Sequence, residues 1–100
     1  EEVDEGDEIA KALGDKKVAI LQNHGILTTG PSVDIALWFY MSMERCCQAQ
    51  LMAEAAGNPK IIPHDTAIKT REFIANDIAA WASYQPAFDK IIKMQPDLLD

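Results

Sequence analysis

The sequence predicts an α/β fold with a short β-hairpin or sheet edge and three to four helices. Three observations predict it. The run Val18-Ala-Ile-Leu21 is apolar, rich in branched residues and too short for a helix. A second β-type run, Ile26-Leu-Thr-Thr29, follows it after a short connection containing Gly25. Elsewhere, apolar residues recur at helical spacing between cap and breaker residues.

The elements follow in order. Ile9, Ala12 and Leu13 keep helical spacing and Gly14 is a natural C-terminal stop, so residues 5–13 read as a short amphipathic helix. The acidic residues Glu1, Glu2, Asp4, Glu5, Asp7 and Glu8 before and within it form a solvated leader or a first helical turn. Lys16 and Lys17 turn the chain into the first strand. The strand's unbroken apolarity is the pattern of one covered on both faces, which places it centrally in a sheet. Asn23-His24-Gly25 then leads into the second strand, through a hairpin or a sharply bent continuation.

Gly30-Pro31 ends that strand. Ser32 is a suitable N-cap and Asp34 lies in the first turn, where its charge suits the helix dipole. A long helix is expected from there to about Ala56, because Gly57 can take the left-handed terminal conformation and Pro59 prevents continuation. Ile35, Trp38, Phe39, Met43 and Cys46 occupy one broad side of it, and Val33, Leu37, Tyr40 and Leu51 the other. A helix apolar all round is normally buried. Its cover comes either from residues outside this chain or another subunit, or from the sheet on one side and the last two helices on the other. Asp65 is the expected cap of a third helix in which Ile74, Ile78 and Trp81 keep i, i+4, i+7 spacing as core candidates. Pro86 would open a final short helix carrying Phe88, Ile91 and Ile92 and ending before Pro96. No internal repeat, low-complexity tract or linker is present.

Composition narrows the function. One hundred residues suffice for one core and no more, and 48% apolar with 25% charged residues is an ordinary globular balance. The formal charge of −7 lacks the basic patch that a phosphate backbone requires, which argues against a nucleic-acid partner. Cys46 and Cys47 are neighbours on a helix, where adjacent side chains diverge, so they do not pair with each other. Without other cysteines a reducing compartment, the cytoplasm, is the expectation. No run approaches the ~20 apolar residues of a membrane span, and the acidic start is unlike a signal sequence.

Chemistry concentrates at His24, one of only two histidines. It stands where a strand ends, between residues that favour unusual backbone geometry, so its imidazole can project from a rigid edge into a cleft. By residue type alone it is either a metal ligand or a hydrogen-bonding surface residue. Gly25 either admits a ligand to the backbone or permits a positive φ. A catalytic zinc normally takes three protein ligands and an open position, so one histidine is not enough. His64 precedes the third helix and reads as solvent-facing or capping. No H-x-H, H-E-x-x-H, Gly-rich phosphate loop or G-x-S-x-G elbow occurs. Glu44 and Gln48, one helical turn apart, interrupt the stripe of Val33, Leu37, Tyr40, Leu51 and Ala55, and are assigned to a buried polar network or a subunit contact.

The segment from Gly6 to Gly57 resembles the C-terminal half of a class II aldolase/adducin domain. The resemblance is carried by Val18-Ala-Ile-Leu-Gln-Asn-His-Gly-Ile-Leu-Thr-Thr-Gly30, Ala36 and the helix through Glu44-Arg45-Cys46-Cys47-Gln48-Ala49-Gln50. The end of the chain, with Trp81, Gln85-Pro86 and Gln95-Pro96-Asp97-Leu98-Leu99-Asp100, is similar to fungal members of the family. This likeness implies a three-layer α/β/α class II aldolase-like architecture, with residues 1–100 as the C-terminal part of a single domain. It also implies that His24 is the last of three histidines holding a divalent metal, most often zinc. The implied chemistry is retro-aldol cleavage or epimerisation of a small sugar phosphate or hydroxy-carbonyl substrate, the metal acting as a Lewis acid. The implied assembly is a homo-oligomer. The family's H-x-H pair, catalytic acid and phosphate loop belong to an upstream half, so the expectation is a fragment or part of a longer protein, inactive alone. No catalytic residue is assigned to this chain. The rival implied by the same family is a non-catalytic, adducin-like scaffold.

Overall fold

The computed structural model describes residues 2–100, and of the acidic leader Glu1 lies outside the described residues. Helix α1 (Glu2–Leu13) takes in Asp4, Glu5, Asp7 and Glu8 near its start, where negative charge suits the positive end of the helix dipole. It stops at Gly14, whose φ of 53° is left-handed and whose N–H donates to the Ala10 carbonyl at 3.0 Å.

Strands β1 (Val18–Leu21) and β2 (Gly25–Thr28) form an antiparallel hairpin in the register Val18↔Thr28, Ala19↔Leu27, Ile20↔Ile26 and Leu21↔Gly25. A central strand covered on both faces is not what this chain builds. Among the described residues β1 pairs with β2 alone, and Ile20 is 64% exposed.

Ser32 caps helix α2 (Val33–Ala56), its Oγ accepting from the Ile35 N–H at 3.3 Å. At the far end the Gly57 N–H donates to the Ala53 carbonyl, but at φ 165° the residue is extended, so the anticipated left-handed conformation is not adopted. The hairpin and helix α4 (Asp77–Met94) pack on α2, while α3 (His64–Ile74) packs on α4. Ile35, Phe39 and Ala80 are buried, flanked by Val18, Trp38 and Ala75. The other side of α2 stays open, with Val33 at 73%, Leu37 at 39% and Leu51 at 67% exposure. Thus the sheet and one later helix cover one side of α2, and among the described residues nothing covers the other.

Three expectations for the C-terminal half are corrected. Asp65 lies inside the first turn of α3, and Pro63 occupies the cap position without a side-chain bond. Asn76 splits the expected third helix, because its Oδ1 accepts from the Ala79 N–H at 2.9 Å and starts α4 afresh. Pro86 then lies within α4 instead of opening a helix. The break turns Ile74, Ile78 and Trp81 outward, all more than half exposed, and leaves Ala80 as the buried contact. A 3₁₀ turn, Pro96–Leu99, follows α4.

Candidate functional site

The hairpin connection positions His24. Asn23 sits at φ 63°, a left-handed conformation that asparagine tolerates better than most residues, and the His24 N–H donates to the Leu21 carbonyl at 3.1 Å. Gly25 has φ 142°, which side-chain-bearing residues rarely adopt. A Cβ there would meet nothing within 4 Å, so the backbone angle is what requires glycine. Of the two readings of Gly25, the positive φ is therefore realised.

The His24 side chain is 69% exposed, and its Nε2 lies 3.6 Å from Oε1 of Glu5 on α1, itself 61% exposed. That separation is longer than a hydrogen bond. Among the described residues no group of three or more His, Cys, Asp or Glu side chains is gathered for a metal. His64 opens α3 in an exposed position. Glu44 and Gln48 touch each other, Gln48 Nε2 donating to Glu44 Oε1 at 2.6 Å, but the contact is exposed, so the buried polar network is not formed within this chain. Both cysteines are free thiols.

Reasoning from sequence missed Lys17. Its ammonium donates to the Ala75 carbonyl at 2.6 Å, lies 3.8 Å from Asp77 Oδ1 and stands 4.8 Å from the centre of the Phe39 ring. These contacts tie the start of β1 to the junction of α3 and α4. They border an open crevice of about 890 Å³ that Asp15, Lys16, Phe39, Arg71 and Glu72 also line. The only prior signal was the pair Lys16-Lys17, which marks a turn equally well. A smaller crevice lies between the end of α2 and Pro59 to Ile62. His24 lines neither.

A family model described as the Class II Aldolase and Adducin N-terminal domain matches residues 1–51, the segment that holds α1, the hairpin and most of α2. The chain belongs to the class II aldolase/adducin family. It is 39% identical over 95 residues to decarboxylase NovR of Streptomyces niveus, covering 95% of this chain and 35% of that protein. It is also 39% identical over 88 residues to the meiotically up-regulated gene 14 protein of Schizosaccharomyces pombe, covering 85% of this chain and 34% of that one. The structure of L-fuculose 1-phosphate aldolase from Glaciozyma antarctica PI12 matches at a TM-score of 0.87 and 37% identity, over 91% of this chain and 36% of that chain. The fold is thus part of the α/β class II aldolase architecture, and the chain spans roughly a third of the length of these relatives. No helix among the described residues is long and apolar enough to cross a membrane.

Proposed function

We propose that this chain is the C-terminal part of a single class II aldolase-like domain of a metal-dependent lyase, with His24 one protein ligand of its divalent cation, zinc. The carrying observation is the imidazole itself, exposed at the tip of a hairpin whose turn holds the His24 backbone through the Leu21 carbonyl, inside the segment that the family model matches.

The donor chemistry fits in part. A neutral imidazole nitrogen is a good zinc ligand, but a catalytic site needs three protein ligands, and the described residues gather no such group. The remaining donors come from outside this chain, which is therefore inactive alone. When bound, the cation supplies Lewis acidity toward a carbonyl or hydroxyl oxygen of the substrate. This chain's own part is to hold the His24 backbone at the tip, where Gly25 adds no side chain.

The substrate in this reading is a small sugar phosphate or hydroxy-carbonyl compound, and the reaction is retro-aldol cleavage or epimerisation. The relatives' names include an aldolase and a decarboxylase. Both reactions break a carbon–carbon bond and leave electrons on a carbon that a neighbouring polarised oxygen can stabilise. The protein acts in the cytoplasm as a homo-oligomer, the uncovered side of α2 meeting the rest of the domain or a second subunit. The alternative is a scaffold without chemistry, favoured by 38% identity over 64 residues to adducin-related protein 1 of Caenorhabditis elegans.

Elemental analysis of the full-length protein tests the reading, comparing wild type with His24→Ala. The expected outcome is stoichiometric metal in the wild type and its loss in the variant, since removing one of three ligands greatly weakens binding. Equal metal in both removes His24 from the ligand set. A metal-free wild type after loading with zinc supports the scaffold.

A further inference from the structure

We propose that Asn23 is the positioning residue for His24, and that it acts through its left-handed backbone and not through its amide. The inference rests on the reading of His24 as a ligand and deepens it, because it names the residue that sets the direction in which the side chain leaves the hairpin. Its warrant is where the positive φ angles fall. Among the described residues they occur at Gly14, Asn23 and Gly25, and two of these three flank His24. Gly14 ends α1. Backbone held in sparsely populated regions costs free energy and persists only where its surroundings over-determine it, and such positions cluster where function needs a fixed geometry.

The turn supplies the mechanism. The His24 N–H donates to the Leu21 carbonyl at 3.1 Å and closes a four-residue turn, residues 21–24, whose third member is Asn23 at φ 63°. A turn with a positive φ at that position takes glycine or asparagine there, because an ordinary Cβ resists the left-handed region. His24 follows directly, so the peptide plane that Asn23 sets is the one from which the His24 Cα–Cβ bond departs. Asn23 is exposed, so replacing it leaves no cavity, and its effect on His24 runs through the backbone. A residue that refuses the left-handed region relaxes the turn. Cation binding must then restore it, and the conformational cost appears as lost affinity.

The test uses the full-length protein stripped of metal, with zinc titration and urea unfolding of the metal-free form. Wild type is compared with Asn23→Gly, Asn23→Ala, Asn23→Val and His24→Ala, each checked for native circular dichroism. Glycine removes the amide and keeps the left-handed region open, whereas alanine resists that region and β-branched valine resists it more. The expected result is near-wild-type zinc affinity in Asn23→Gly and a larger loss in Asn23→Val than in Asn23→Ala. For Asn23→Ala the loss is about 3- to 10-fold, part of the left-handed penalty of an ordinary residue read as an affinity ratio. If Asn23→Gly loses as much as Asn23→Ala, the amide is the working group and the inference fails. If Asn23→Ala and Asn23→Val bind zinc as wild type does, whatever their urea midpoints, Asn23 is a turn residue and no more. The inference then fails while the His24 reading stands on the loss of metal in His24→Ala. Retention of metal by His24→Ala removes both readings together.

Discussion

Replacing Phe39 with alanine tests whether the small core holds the hairpin. Phe39 is 8% exposed and is the largest of the three buried apolar residues, beside Ile35 and Ala80. Truncating a buried phenylalanine costs about 3–5 kcal/mol, depending on the void that remains. Here one side of the ring already borders the open crevice, so removal enlarges a wet space instead of sealing a dry one, which favours the lower end, ~3 kcal/mol. Loss of the ring under the Lys17 ammonium, 4.8 Å away, adds about 0.5–1 kcal/mol. The sum, about 3.5–4 kcal/mol, is a large part of the 5–15 kcal/mol typical of a domain, so Phe39→Ala should be mostly unfolded at moderate urea. Phe39→Leu keeps most of the volume and loses only the ring face, with an expected cost below about 1.5 kcal/mol. Urea unfolding followed by tryptophan fluorescence and by circular dichroism reads both, coincident curves licensing the two-state comparison. A loss under about 1 kcal/mol in Phe39→Ala, or equal losses in the two variants, would refute this account of the core.

Asn76→Ala removes the acceptor for the Ala79 N–H, and with it the Asn76 Nδ2 donation to the Phe73 carbonyl at 2.9 Å. The expected cost is about 0.5–2 kcal/mol in urea unfolding, and an unchanged midpoint would show that α4 does not depend on this cap. Pro86→Ala restores an N–H donor for the Ala82 carbonyl in the middle of α4, gaining about 3 kcal/mol of helix propensity against about 0.4–1 kcal/mol lost through a freer unfolded chain. A net rise of roughly 2 kcal/mol is expected in thermal or urea melts, and no rise would mean that the packing of α4 needs the break in its hydrogen bonding.

Local chemistry was readable wherever one residue decided the backbone. Ser32 caps α2 as its hydroxyl predicts, Gly14 ends α1 in a left-handed conformation, and the hairpin forms between the two β-type runs. The C-terminal half was harder because α3 and α4 are separated by only Ala75 and Asn76. Ile74, Ile78 and Trp81 therefore keep helical spacing across the gap, and the pattern reads as one helix. Asn76-Asp77, a cap followed by a first-turn acid, was the available signal, outweighed by the obvious breaker Pro86. Pro86 is tolerated inside α4 in an exposed position. At the candidate site, the strand end and Gly25 made His24 visible. Its approach to Glu5 was not visible, since it depends on how α1 folds back against the hairpin and no local pattern records that.

What holds His24 in place is not all next to it. The turn fixes the His24 backbone relative to β1 and β2, but a two-stranded hairpin is marginal by itself and must be anchored elsewhere. The anchors lie at its other end, where the Lys17 ammonium reaches the Ala75 carbonyl at 2.6 Å and the Thr28 hydroxyl donates to the Ala36 carbonyl at 2.9 Å. Val18, across from Thr28, packs on the core around Phe39. The hairpin is thus a lever clamped at its open end by α2 and the α3–α4 junction, with the imidazole at its free tip. A ligand that binds the folded arrangement alone stabilises it by mass action, so under the proposed function metal affinity at the tip and stability of the clamp would be linked. On the proposed reading of His24 as a ligand, the linkage would give the crevice beside Phe39 its part in the site, because whatever loosens Lys17 or Phe39 would lower the population in which the hairpin tip is held in place, without touching a donor atom.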